Sequence, residues 1–184
     1  MTAASHPARA LTIGYLIRFV LAVSCLLGVL LYGTTRLILG VDTQDYSCLD
    51  QHVFLIDSHT RPTAADLVVG DLVAIRLTEA QRPTIATWEP HTIMVKRVEA
   101  SVPGTRITIS RSGISFELDG KRWTHGTALE SAAKLGRSEA SFERTFELKP
   151  GELFLMGDNP MSYDGRYYGP VTEAQVVGSV LWAV

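Results

Sequence analysis

The sequence predicts a mainly β chain, an antiparallel β-sandwich or partly open barrel, carried behind one N-terminal transmembrane helix. Three observations point there. Residues 11–33 form an apolar stretch broken by a single full charge, Arg18. Beyond residue 41 the chain breaks into short runs rich in β-branched and aromatic residues, each closed by a turn signal. The 184 residues, 46% hydrophobic and 20% charged, suffice for one compact domain and a small appendage.

The apolar stretch matches the ~20 residues needed to cross a hydrocarbon core. Arg18 lies close enough to its start for the stem to snorkel toward the headgroups, and Arg9 precedes it, so the positive-inside bias puts the N-terminus in the cytoplasm. A cleaved secretory signal is the alternative. The stretch is long for one, and Tyr32, Gly33, Thr34, Thr35 and Arg36 offer no small-x-small cleavage site, so an uncleaved anchor is expected. The division is then 1–40 for tail and anchor and 41–184 for an extracytoplasmic β-rich domain.

In that domain the expected strands are 72–77 (LVAIRL), 91–99 (HTIMVKRVE), 106–110 (RITIS), 114–118 (ISFEL), 152–156 (ELFLM) and 176–184. Gly70-Asp71 opens the first, Pro103-Gly104 closes the second, Asp119-Gly120 reads as a hairpin turn, and Pro150-Gly151 precedes the fifth. Residues 128–144 form the one helical pattern after the anchor, and their polarity suggests an exposed excursion. No repeat or low-complexity segment interrupts the pattern.

Composition excludes several classes. With 17 Lys+Arg against 19 Asp+Glu there is no basic excess for nucleic-acid binding. The first 41 residues carry three arginines and no acid, so the negative balance belongs to the rest. None of the five histidines falls in an HExxH pattern, two cysteines cannot build a closed zinc site, and no phosphate-binding glycine loop follows a strand, so neither metal nor cofactor is expected. Cys25 lies inside the apolar run and Cys48 beyond it, which argues against their pairing.

What remains is a set of residues able to do nucleophilic chemistry. Ser47 and Cys48 follow soon after the anchor. Lys96 stands in an apolar strand after Ile93, Met94 and Val95, where loss of hydration penalises its charge and suits it to act as a base; the alternative is a strand-edge lysine facing solvent, with Arg97 on the other face. Residues 157–169 (GDNPMSYDGRYYG) form a polar Gly/Asp/Ser/Arg cluster that, alone, reads as a turn with an Asp164 and Arg166 pair.

Taken in order, Gly70-Asp71-Leu72-Val73, Lys96-Arg97-Val98 with Pro103-Gly104 after it, Gly157-Asp158-Asn159, and Ser162-Tyr163-Asp164-Gly165-Arg166-Tyr167-Tyr168-Gly169-Pro170-Val171 resemble the type I signal peptidase family, peptidase S26, over about residues 45–180. Within it the chain is most similar to the conjugative-transfer branch, the TraF-type peptidases that mature pilin precursors. The resemblance implies that Lys96 is the general base, that Ser162 orients it, that Asp164 and Arg166 brace the loop, and that Gly157, Asp158 and Asn159 hold the loop beside the nucleophile. This is a variant of triad logic, a weak nucleophile activated by a base that a third group holds in place.

The sequence departs from the family pattern in three places. Gly165 stands where the family carries Ser before Arg, the stretch from Asn159 to Ser162 is short, and the nucleophile region reads Cys48-Leu49-Asp50-Gln51-His52-Val53-Phe54 where the branch has Ser-Leu-Pro before a Val/Leu-aromatic pair. That register puts Cys48 at the serine position. Ser47 is the competing nucleophile, and because adjacent strand residues face opposite ways the two cannot both point at Lys96. The oxyanion is expected to take the nucleophile's own N–H and a nearby hydroxyl, with Tyr46 as candidate.

Gly33 and Cys48 are 15 residues apart, a reach of at most ~50 Å, so the nucleophile can work near the outer membrane face. Val53, Phe54 and Leu55, in the run 53–56 (VFLI), are expected to bind substrate by pairing edge-on with an extended peptide. The resemblance implies a bacterial inner-membrane protein with a periplasmic catalytic domain, and an exported, pilin-like precursor as partner, cleaved and in some relatives joined into a circle. Two other readings stand beside it: a sortase-like Cys transpeptidase pairing Cys48 with His59, His91 or His125, and a catalytically silent assembly scaffold.

Overall fold

The computed structural model describes residues 13–43, 47–83, 92–126 and 129–184. The chain divides into two units, Met1–Arg36 and Leu37–Val184. Arg9, Tyr46, His91 and Ala128, which entered the sequence reading, lie outside the described residues.

The first unit holds one helix, α1 (Ile13–Arg36), of 24 residues. At 1.5 Å per residue it is ~36 Å long, and its most apolar 18-residue window has a mean hydropathy of 2.2. It has the length and composition of a membrane span. Arg36 closes its last turn, where a cation complements the carbonyl end, and the Thr35 hydroxyl donates back to Leu31 O at 3.0 Å.

The second unit is built from eleven strands: β1 (Leu37–Val41), β2 (Val53–Asp57), β3 (Leu72–Ile75), β4 (Met94–Ala100), β5 (Arg106–Ser110), β6 (Gly113–Leu118), β7 (Lys121–His125), β8 (Arg144–Glu147), β9 (Glu152–Met156), β10 (Val171–Thr172) and β11 (Val176–Ala183). They form a seven-stranded sheet in the order β1-β2-β11-β3-β4-β9-β10 and a four-stranded sheet in the order β7-β6-β5-β8. Every pairing is antiparallel. All six expected strands are present, displaced by a few residues at their ends. The Asp119-Gly120 hairpin turn is also present, with φ of 50° and 75° that only turn-forming residues adopt readily.

Alternation decides what each face buries. In β4, Met94, Lys96, Val98 and Ala100 are buried while Val95, Arg97 and Glu99 are partly exposed. Met94 and Val98 join Val73, Ile75, Leu153, Leu155 and Val176 on one face of the large sheet, and Phe54, Ile56, Ala74 and Leu49 pack together in a separate cluster. A register shift between Val98 and Ala100 turns the end of β4, so that Ala100 enters a third cluster with Phe154 and Met156 of β9 and Ile107, Ile109, Ile114 and Phe116 of the small sheet. That cluster joins the two sheets, with Phe116 edge-on to Phe154 at 5.8 Å.

Two expectations are corrected. The helical pattern at 128–144 is not a helix: its described part is a set of turns, a short 3₁₀ segment (Glu139–Ser141) and the first residue of β8. Nor is it an outlying excursion, since Leu129, Ala132 and Phe142 are buried in the cluster between the sheets. Three apolar anchors among polar residues hold it down where helical amphipathicity could not. The second correction concerns β2. It lies between β1 and β11, hydrogen-bonded on both sides, so its backbone has no free edge to offer an extended peptide.

Candidate active site

Lys96 sits in the middle of β4, which is itself interior to the sheet between β3 and β9. It pairs with Val73 and shares the face of Met94 and Val98, so its side chain runs through apolar packing and is wholly buried. The solvent-facing alternative is therefore excluded by strand position. At its end Nζ donates to Ser162 Oγ at 2.9 Å. Among the described residues no carboxylate forms an ion pair with Lys96.

Ser162 is placed by the segment that follows β9. Asp164 is the N-cap of the single-turn helix α2 (Gly165–Tyr168), accepting from Arg166 N at 3.1 Å, and its other oxygen accepts from Gly157 N at 3.0 Å. Arg166 folds back on Asp164 through two bonds of 2.8 and 2.7 Å, with both side chains at 0% exposure. Its remaining reach goes to Ser162 O at 3.2 Å and Asn159 O at 3.3 Å. One buried, charge-balanced pair thus closes the loop from Gly157 to Tyr168 on itself.

The Gly157-Asp158-Asn159 turn connects this loop to residues 47–50. Asn159 N donates to Cys48 O at 3.2 Å and Asn159 Nδ2 to Ser47 O at 3.0 Å. Asp158 accepts from Asp50 N at 3.4 Å and from Arg97 through Nε at 2.7 Å and a second guanidinium nitrogen at 2.8 Å. Arg97, on the opposite face from Lys96, also donates to Gly70 O at 3.0 Å, so the two neighbours on β4 hold the two halves of the site. The Arg97 hydrogen bonds hold the Asp158 carboxyl below the usual carboxylate range.

Gly157 lies at the junction. A Cβ there would collide with Cys48 O and with both side-chain atoms of Ser162, so the turn brings Cys48 and Ser162 together only because this residue has no side chain. Gly165 is equally enclosed: a Cβ would run into Leu155 O and the Phe154 ring. Close packing against β9 leaves no room at Gly165 for the serine expected there from the family pattern.

The two candidate nucleophiles differ in their surroundings. Ser47 Oγ is engaged locally, its one proton shared between Leu49 O at 2.6 Å and Asp42 Oδ2 at 2.9 Å, and it accepts from Leu49 N at 3.3 Å. Cys48 is half-buried. Leu49 enters the core with Phe54 and Ile56 and anchors the segment. Val53 and Leu55 lie opposite Val41 and Leu39 on the outward face of the sheet, and Phe54 points into the core.

Tyr168 was not singled out from the sequence. Its hydroxyl is buried and without a hydrogen-bond partner among the described residues. Burial pushes the phenol well up, and the nearby Asp164 carboxylate adds to the effect. A tyrosine in an aromatic pair carries no sequence signal of such a position. Of the histidines, His59 follows β2 and His125 ends β7. Among the described residues no group of three or more metal-binding side chains comes together.

Comparison with known proteins establishes the family. No curated protein matches the chain. A solved signal peptidase I from Enterococcus faecalis V583 is similar at 21% identity over 61% of this chain and 95% of that one, with a TM-score of 0.38. The model of the family described as signal peptidase, peptidase S26, matches residues 14–184, nearly the whole length. The chain belongs to the signal peptidase family.

Proposed function

We propose that the protein is a membrane-anchored endopeptidase that cleaves exported, pilin-like precursors of conjugative transfer, with Cys48 as nucleophile, Lys96 as general base and Ser162 as the residue that orients it. The observation that carries this reading is the hydrogen bond between the buried Lys96 Nζ and Ser162 Oγ, at 2.9 Å, beside a turn that grips Cys48. Family membership supports the peptidase chemistry, and α1 supports the anchor. Cys48 is preferred over Ser47 because the Ser47 hydroxyl is already engaged by Asp42 and Leu49, and because a thiol ionises more readily than a hydroxyl.

The chemistry runs as acyl transfer. Neutral Lys96 takes the Cys48 proton, Sγ adds to the scissile carbonyl, and the oxyanion is met by the Cys48 N–H and a neighbouring hydroxyl, for which Tyr46 is the candidate. Collapse breaks the C–N bond, and the leaving amine takes its proton from Lys96. The resulting thioester is then opened by water, giving a free carboxylate, or by an amine of the same precursor, giving a ring. The anchor holds the site where a precursor's apolar signal segment leaves the bilayer, with the N-terminus cytoplasmic and the β domain periplasmic.

The test is maturation of the co-encoded pilin precursor in cells carrying Ser47→Ala, Cys48→Ala, Cys48→Ser or Lys96→Ala, followed by the intact mass of the product. Loss with Cys48→Ala and Lys96→Ala but not with Ser47→Ala is expected, and a product lighter by one further water identifies ring closure. Loss with Ser47→Ala and not Cys48→Ala would return the role to the serine. Normal maturation in all four would leave a scaffold.

A further inference from the structure

The small sheet and the turn-rich segment before β8 contribute none of the residues assigned above to nucleophile, base or loop brace, yet two of their side chains end on the loop that carries Ser162. Arg144, the first residue of β8, directs one guanidinium nitrogen to three backbone carbonyls of α2: Gly165 O and Arg166 O at 3.1 Å and Tyr167 O at 3.3 Å. Gly165 O also accepts from Gly169 N at 3.0 Å, whereas Arg166 O and Tyr167 O lie at the C-terminal end of the one-turn helix, where intrahelical partners run out. Ser131, 4% exposed, donates from Oγ to Met161 O at 2.6 Å and from its backbone N to Tyr167 Oη at 2.9 Å. Leu129, Ala132 and Phe142 seat this segment in the core between the sheets, and Phe142 meets the Tyr167 ring edge-on at 5.1 Å.

The two anchors bracket the functional residues. Ser131 holds the peptide just before Ser162, and Arg144 holds the turn that carries Arg166, the partner of Asp164 and of Ser162 O. We propose that Ser131 and Arg144 are positioning residues for the Lys96–Ser162 hydrogen bond, and that the small sheet with its 129–142 segment is the buttress through which they act. The inference rests on the lysine-base reading above. The three carbonyls share one charged nitrogen of Arg144, which a lysine ammonium can replace as a single cationic centre with three donors, whereas a glutamine amide is neutral. Ser131 needs a hydroxyl, which threonine keeps.

The experiment uses the full chain in detergent micelles and a synthetic precursor whose apolar segment ends in Ala-x-Ala, with kcat, KM and melting temperature measured for each variant. Arg144→Gln and Ser131→Ala are expected to lower kcat about ten- to a hundredfold at unchanged KM, with Arg144→Lys and Ser131→Thr recovering most of the rate. The decisive arm is a double-variant cycle. In a Ser162→Ala background the Ser131→Ala change should cost almost nothing further, because its effect runs through Ser162. Full additivity, wild-type kcat in both single variants, or a rate loss that follows the folded fraction would each overturn the proposal. If Arg144→Gln fails to fold, the Ser131→Ala arm, which removes one hydroxyl, decides between buttress and no buttress. Lys96→Ala separates the two levels: wild-type cleavage there removes the lysine reading and the buttress with it, whereas a dead Lys96→Ala beside wild-type Ser131→Ala and Arg144→Gln removes the buttress alone.

Discussion

Lys96 and Ser162 lie 66 positions apart in sequence and 2.9 Å apart in space, the lysine on a central strand and the serine on the loop that leaves its neighbour β9. Because the lysine stem is wholly buried, the hydroxyl fixes where the nitrogen points. Ser162→Ala is expected to lower precursor cleavage about 10²-fold, the scale for misplacing a catalytic group by about 1 Å, with the melting temperature little changed. Steady-state cleavage beside a thermal melt checks it, and wild-type kcat would remove Ser162 from the site.

Gly157 and Gly165 set the packing limit of the loop. Gly157→Ala places a methyl against Cys48 O and Ser162, and Gly165→Ser places a side chain against Leu155 O and the Phe154 ring. Each should destabilise by about 1–3 kcal/mol as an overpacked site. Gly157→Ala should also lose activity beyond its stability cost, because it pushes Cys48 and Ser162 apart. Denaturant melts together with kcat separate the two effects.

Asp164 and Arg166 form a fully buried pair with no solvent to replace a lost partner. Asp164→Ala would leave an unbalanced guanidinium in the core and release Gly157 N, a loss of about 3–5 kcal/mol. A change below about 1 kcal/mol in urea unfolding, the scale of an exposed pair, would show that the pair is not what closes the loop.

The Arg97 and Asp158 tie is partly exposed, at 28% and 21% of the side chains, and contributes about 0.5–1 kcal/mol after solvent screening. Arg97 holds the Asp158 carboxyl below its ordinary value, so the tie's contribution is complete above the unfolded value near pH ~3.9 and is lost as pH falls below it. The melting-temperature gap between the wild-type chain and Asp158→Asn should therefore be constant at neutral pH and close as pH drops below about 4. A gap that persists in acid would show that the carboxylate charge is not involved.

Much of the molecule was legible from residue order alone. The anchor follows from the apolar run, the strands from alternation and turn residues, and the family from Lys96-Arg97-Val98, the Gly157-Asp158-Asn159 turn and the Ser162 to Arg166 motif. These are local signals, set by hydration, backbone preference and spacing within a dozen residues. Tertiary structure decided what depends on contacts between distant segments. β2 acquires partners on both sides, one of them from residues far away in sequence, so the expected substrate edge is closed. The polar pattern at 128–144 is overruled by three buried side chains of the shared core. Gly165 is required by a carbonyl on β9, and Ser47 is occupied by Asp42. Hydrogen bonding and close packing act through space, so the positions of Lys96, Ser162, Ser131 and Arg144 relative to one another exist only once the sheets have assembled.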